Sequence, residues 1–189
     1  MKVVGIVGSP RINGNTEILA DHCLRAIAEE GLDVELVRLA GLDIRYCDAC
    51  YVCREKEMCN RQDDLFNVYL KMKQADGIIL ASPVYSGSVT ALITALLERV
   101  GQIAWFHGQP FRDKVGGSLI VQGRAGALFT SAQLSVWLQL MGVIMPATDR
   151  WNIAFGWEPG DVRQDQAGME AGWNFGKNVA SLLKRLHTS

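Results

Sequence analysis

The fold class is decided by residues 3–10, VVGIVGSP, near the start of the chain. The first five of these residues form a short apolar run, which Gly8, Ser9 and Pro10 close with turn-forming types. This pattern predicts a buried strand of a parallel sheet that stops at a turn. A helix should follow from Thr16, capped by Asn15.

The same alternation of strand and helix continues along the chain. Apolar runs predict strands at 34–39, 77–82 and 115–121, with strand material around 143–147 and 153–155. Helical periodicity predicts helices from 16 to about 30, over 65–72, 92–100 and 128–141, and a final helix ending near residue 186. Such an order predicts a doubly wound, five-stranded parallel sheet with helices on both faces.

Length, composition and charge restrict the class of protein. A chain of 189 residues with 49% hydrophobic and 21% charged residues predicts a single α/β domain, 1–189, with an insert at about 43–64. The formal net charge of −1 and the interspersed charges leave no basic face for nucleic acid. The opening apolar run is too short for a signal peptide, and no stretch has spanning length, so we expect a cytoplasmic protein away from membranes.

The loop between the first strand and the first helix has the composition of an anion site. A helix N-terminus offers free backbone N–H groups, to which Ser9, Asn15, Thr16 and Arg11 add side-chain donors. The sequence contains neither G-x-x-x-x-G-K-[ST] nor G-x-G-x-x-G at this point, so one terminal phosphate fits better than a triphosphate or a dinucleotide pyrophosphate. The alternative is a polar turn with a good helix cap.

Four of the five cysteines follow the spacing C-x2-C-x2-C-x5-C: Cys47, Cys50, Cys53 and Cys59. Iron–sulfur clusters need several thiolates, and x2 spacings let one compact loop surround a cluster. Structural zinc more often uses two separate C-x2-C knuckles. The spacing also suits a thiol–disulfide switch or reduced thiols, so a cluster is favoured while zinc and metal-free thiols stay open. Cys23, on the apolar stripe of the first helix, is expected in the core.

Two loops resemble the NADPH-dependent FMN reductase family: GSPR at 8–11 followed by Asn15 and Thr16, and SPVYSGS at 82–88. The resemblance implies a flavodoxin-like sheet of order 2-1-3-4-5 and one bound FMN. The third family loop corresponds to GRAGAL at 123–128, which lacks the usual Gly-Gly pair. The implied cofactor-binding residues are Ser9, Arg11, Asn13, Gly14, Asn15, Thr16, Pro83, Val84, Tyr85, Ser86, Gly87, Gly123 and Arg124.

The cysteine segment through Asp64, together with FGWEP at 155–159, resembles the iron–sulfur flavoprotein branch of that family. The resemblance implies a [4Fe–4S] cluster on Cys47, Cys50, Cys53 and Cys59. It also implies a homodimer or homotetramer in which the cysteine loop of one subunit lies near the flavin of another. Trp157 is expected to pack, with contact to a flavin edge as the alternative.

These implications lead to three hypotheses about function. The first is an FMN-dependent oxidoreductase that relays electrons from a ferredoxin-like donor, through a cluster and FMN, to a small acceptor. The second is an NAD(P)H-dependent reductase of FMN or quinones without a cluster. The third is a flavin- or zinc-binding sensor module. No side chain is nominated as a catalytic acid or nucleophile, because the cofactors carry the chemistry.

Overall fold

The computed structural model of the chain describes residues 1–187, so residues 188 and 189 of the predicted 1–189 domain lie outside the described part. The strands are β1 (Lys2–Val7), β2 (Asp33–Arg38), β3 (Gly77–Pro83), β4 (Val115–Gln122) and β5 (Ile153–Phe155). They pair in parallel in the order β2-β1-β3-β4-β5. The predicted fold class and strand order are therefore confirmed.

Helices cover both faces of this sheet: α1 (Asn15–Glu29), α2 (Leu65–Gln74), α3 (Ala91–Phe106), α4 (Ala127–Leu140) and α5 (Gln166–His187). Successive strand residues point to opposite faces. Ile78 and Leu80 accordingly join the core formed with α2, α3 and α4. Ile79 and Ala81 join the core formed with α1 and α5, which also holds Cys23 as predicted. Within residues 1–187, no helix is both long enough and apolar enough to cross a bilayer.

Two local predictions are wrong. The cap of α1 is Gly14 rather than Asn15, because the Asn15 side chain is turned toward a distant loop. Residues 143–147 form only one bridge, between Ile144 and Val115, rather than a strand. Pro146, which has no N–H to donate, follows soon after, and the sheet is completed by β5 against the end of β4.

The cysteine-containing insert lies between β2 and α2, as predicted. Its two ends are joined, since the backbone N–H of Asp43 donates to the Asp64 carboxylate over 2.8 Å and the Asp64 N–H donates to the Asp43 carbonyl over 3.0 Å. Between them, the 3₁₀ turn Val52–Arg54 is the regular element that the structure describes. The insert is therefore a closed loop fastened at its base.

The central strand β3 should contribute most per residue to stability. Ile79 is fully buried, so Ile79→Ala removes apolar contacts on the α1 and α5 side and leaves a cavity. We expect the free energy of unfolding to fall by about 2–5 kcal/mol in urea denaturation followed by circular dichroism. Val34→Ala, at an exposed position of the edge strand β2, is the control and should cost less than about 1 kcal/mol. Equal losses would contradict this assignment of the core.

Candidate cofactor site and cysteine cavity

A cavity of about 330 Å³ opens where β1, β3 and β4 end. Open α/β sheets bind ligands at the carboxyl ends of their strands, so the position is typical of a cofactor site. Three strand-to-helix loops and the segment after β5 supply its lining. The lining residues are Ser9, Arg11, Asn15, Thr16, Pro83, Val84, Tyr85, Ser86, Val121, Gly123, Gly156 and Trp157.

The structure thus brings together most of the residues predicted to bind a cofactor. Asn13, Gly14, Gly87 and Arg124 lie outside this lining. Their predicted roles, like those of the lining residues, remain predictions. Trp157 lines the cavity, and both of its predicted roles, packing and contact with a flavin edge, remain predictions. Its indole covers Gly123 so closely that a Cβ there would lie 2.1 Å from a ring carbon.

The start of α1 is suited to an anion. Its N-cap, Gly14, has no side chain to accept hydrogen bonds from the first turn, so those backbone N–H groups can serve a ligand. Ser9 shapes the preceding loop: its Oγ accepts from the Arg11 N–H over 3.1 Å and donates to the Arg11 carbonyl over 3.3 Å. Ser9 and Thr16 are both buried beside the cavity.

Glu17, a residue that the sequence analysis missed, holds the loop between β1 and α1 in place. Its carboxylate accepts the Asn13 backbone N–H over 2.9 Å and pairs with Arg38 over 2.7 Å. The hydrogen bond from Arg38 lowers the pKa of Glu17, against the opposing effect of burial. Glutamate in the first turn of a helix is the signal that could have identified it.

Asn15 acts as a bridge between α1 and the segment after β5. Its Oδ1 accepts from the backbone N–H groups of Gly160, over 2.7 Å, and Val162, over 3.3 Å. Its Nδ2 donates to the Glu158 carbonyl over 2.8 Å. Arg11 reaches the same segment, donating to the Trp157 carbonyl over 3.3 Å. Both side chains therefore position a loop beside the cavity in addition to facing it.

The second predicted loop forms a tight turn after β3. Tyr85 and Ser88 exchange backbone hydrogen bonds of 2.9 and 3.0 Å, while Ser86 and Gly87 both have positive φ, 51° and 75°. Two successive left-handed residues are typical of a type I′ turn. Thr90, which the sequence analysis missed, joins this loop to the first one, since its Oγ1 donates to the Gly8 carbonyl over 2.6 Å.

A second cavity, of about 280 Å³, lies under the insert. All four predicted metal-binding cysteines line it, namely Cys47, Cys50, Cys53 and Cys59, together with residues from the middle of α3. Burial, and next the neighbouring Cys47, raise the pKa of Cys53. Within residues 1–187, however, no three Cys, His, Asp or Glu side chains are arranged to hold a metal ion. The cysteines share a cavity, and their role as ligands remains a prediction.

Comparison with known proteins identifies the family. Residues 1–158 match the model of the NADPH-dependent FMN reductase family. An iron–sulfur flavoprotein of Methanocaldococcus jannaschii is 38% identical, with 97% of this chain and 98% of that protein covered. Another from Methanosarcina thermophila is 31% identical, covering 97% and 96%. The chain therefore belongs to the NADPH-dependent FMN reductase family of FMN-dependent oxidoreductases, within its iron–sulfur flavoprotein branch.

Solved structures agree on the fold. RosB, solved with bound 8-demethyl-8-formylriboflavin-5′-phosphate, superposes with a TM-score of 0.81 at 20% identity, covering 100% of this chain and 81% of that chain. An NAD(P)H:quinone oxidoreductase from Methanothermobacter marburgensis gives a TM-score of 0.72 at 15% identity, covering 95% and 96%. At these identities, the likeness shows the flavodoxin-like fold alone.

Removal of the Asn15 bridge should loosen the segment after β5. In Asn15→Ala, the backbone N–H groups of Gly160 and Val162 lose their acceptor, so their amide hydrogen exchange should become faster. Exchange in β1 should stay unchanged. Asn178→Ala, which removes a side-chain contact to Ala147 on the surface, is the control. Unaltered exchange over residues 156–162 in Asn15→Ala would show that the bridge does not hold the loop.

Glu17 should make stability dependent on acid. Because folding lowers its pKa, its contribution is present above its ordinary pKa of 4.5 and is lost as the pH falls below it. Glu17→Gln should therefore be less stable than the wild type at pH 7 and should lose less stability on acidification, as measured by urea denaturation. The exposed Glu170, substituted by Gln, is the control. Parallel pH profiles of wild type and Glu17→Gln would refute the role.

Proposed function

We propose that the chain binds one FMN in the cavity at the ends of β1, β3 and β4. The phosphate would lie at the start of α1, where the Gly14 cap leaves backbone donors, and Arg11 would add a charged donor. The turn containing Tyr85 and the indole of Trp157 would border the flavin ring. The supporting observation is that loops distant in sequence converge on this one cavity.

We further propose that Cys47, Cys50, Cys53 and Cys59 hold a [4Fe–4S] cluster. The observation that carries this proposal is that all four cysteines line one cavity, and four thiolates are the donor set that such a cluster needs. The names of two similar proteins support the proposal, since both relatives compared above are named iron–sulfur flavoproteins. The exposed Cys47 and Cys50 would have to move inward to complete the set.

With both cofactors bound, the protein would relay electrons between a ferredoxin-like donor and a small acceptor. The flavin exchanges electrons singly or in pairs and the cluster singly, so together they connect two kinds of redox partner. The residues of this chain bind and orient the two groups. A reducing cytoplasm is the compartment we propose, because it keeps exposed cysteines such as Cys47 free for metal.

The surface of α4 supports assembly into a homodimer or homotetramer. Leu128, Phe129, Val136 and Leu140 are exposed there, and an exposed apolar patch of this kind marks a protein interface. A second copy of the chain is the proposed partner. Such an assembly would allow the cysteine loop of one subunit to approach the flavin of another.

Iron content tests the proposal. Anaerobically purified or reconstituted protein should contain four iron and four sulfide per FMN. Cys50→Ser should lose iron and keep FMN, whereas Cys23→Ala, a substitution of the buried cysteine in the core, should keep both. Iron and sulfide assays and the visible spectrum give the answer. Protein that holds FMN but takes up no iron after reconstitution would exclude the relay.

An NAD(P)H-dependent reductase of FMN or quinones is the second candidate function. It is favoured by one observation, that residues 1–158 match the model of the NADPH-dependent FMN reductase family. The cysteines would then be structural or redox-active. Rapid bleaching of the flavin by NADPH in iron-free protein would support this function, and no bleaching would exclude it.

A further inference from the structure

Arg99 is a charged residue in the interior of the protein. It lies in the middle of α3 and is 2% exposed. Its guanidinium binds the Asp63 carboxylate through two parallel bonds, Nη1 to Oδ2 over 2.6 Å and Nη2 to Oδ1 over 3.0 Å. Removing two charges from water costs several kcal/mol per ion, and such a pair often stabilises a fold no better than apolar residues would. The placement therefore needs a reason other than stability.

The Arg99–Asp63 pair fastens both ends of the cysteine insert to α3. Arg99 Nη1 donates to the Arg45 carbonyl over 2.9 Å, two residues before the first cysteine of the insert. The Asp63 carboxylate accepts the backbone N–H of Arg45 over 3.2 Å and that of Leu65 over 3.3 Å. Burial raises the pKa of Asp63, but the hydrogen bonds from Arg99 and the backbone outweigh it, so the pKa is lowered and the carboxylate stays charged.

A further donor of the guanidinium, its Nε–H, reaches a sulfur. Arg99 Nε donates to Cys59 Sγ over 3.3 Å, and Arg99 itself lines the cysteine cavity. If the ion pair served only to close the insert, the contacts of Arg99 with Asp63 and with the backbone would be sufficient, and the contact with sulfur would not be needed. The contact with Cys59 adds a fixed, desolvated positive charge beside one thiol of the four. Hydrogen bonds to cluster sulfurs and nearby charge are among the factors that set a cluster's reduction potential.

We propose that Arg99 is a positioning residue that holds Cys59 toward the cavity and places a positive charge against its sulfur, which makes a cluster bound there easier to reduce. This inference rests on the proposed function, because it requires the four cysteines to hold a cluster. Asp63 orients the guanidinium and balances its charge. Cys47 and Cys53 reach α3 and its C-cap through their backbones, to Glu98 and His107, whereas Cys59 is contacted from α3 at its sulfur.

The test compares iron retention and midpoint potential in the wild type and three variants. Arg99→Met combined with Asp63→Leu removes both charges, which avoids leaving one buried and unpaired. Loss of such an outer contact typically costs about 10–100-fold in metal affinity, so iron release to a chelator should be faster by a similar factor. The midpoint potential, from redox titration followed by electron paramagnetic resonance, should become more negative. Arg25→Met, which breaks the exposed pair with Asp21, is the control and should match the wild type.

Arg99→Lys keeps the charge but cannot bind Asp63 in two places and Cys59 as well. It should release iron faster, while its midpoint potential stays close to that of the wild type. If the double variant fails to fold, Arg99→Lys provides the test of iron retention in its place. FMN content and circular dichroism verify that each variant is folded. Wild-type protein that takes up no iron would overturn the proposed function. A wild type that holds a cluster, with unchanged iron release and potential in the Arg99 variants, would overturn the inference alone.

Discussion

The parallel pairing of β1 with β3 is the constraint on which the rest of the structure depends. Val7 lies opposite Ala81 in this register, so the loops that follow the two strands emerge side by side. The Gly8 N–H donates to the Ala81 carbonyl over 2.8 Å, and the Thr90 hydroxyl donates to the Gly8 carbonyl. The candidate cofactor cavity forms between these loops, which are far apart in sequence but fixed to one another.

Helix α3 links the two sites. Thr90 caps its start, accepting the Ile93 N–H over 3.4 Å, and at the same time holds the loop of the cofactor cavity. Nine residues further along, or about 13 Å at the rise of an α-helix, Arg99 fastens the cysteine insert. A single rigid element therefore carries a contact to each site, which gives the proposed relay a fixed frame within the chain.

The sequence predicted those features that depend on local pattern. Apolar runs identified the central strands, because a strand buried on both faces carries apolar residues at successive positions, as at 78–81 in β3. The predictions failed where contacts were long-range. Asn15 was assigned as a cap, although its oxygen accepts from Gly160. Residues 143–147 were assigned as strand material, although they form one bridge, while the predicted strand at 153–155 matches β5. Arg99 could not be recognised, since its partners Asp63 and Cys59 are brought to it only by folding.

The cysteines likewise show which features the sequence predicts from local pattern and which depend on long-range contacts. Their spacing predicts that one loop can present four thiols, and all four cysteines do line one cavity. Spacing does not determine how far each thiol turns inward, which depends on contacts outside the loop such as that of Arg99 with Cys59. The structure likewise shows a cavity at which the loops predicted to bind FMN converge.

The affinity of the flavin-free protein for FMN compared with riboflavin tests the central claim most directly. If the loop before α1 binds the phosphate, calorimetry should show that FMN binds more than about 100-fold tighter than riboflavin. That factor corresponds to two charge-assisted hydrogen bonds of about 1.5 kcal/mol each. Equal affinities would mean that the phosphate is not recognised at the start of α1, and the account of the cofactor site would be wrong.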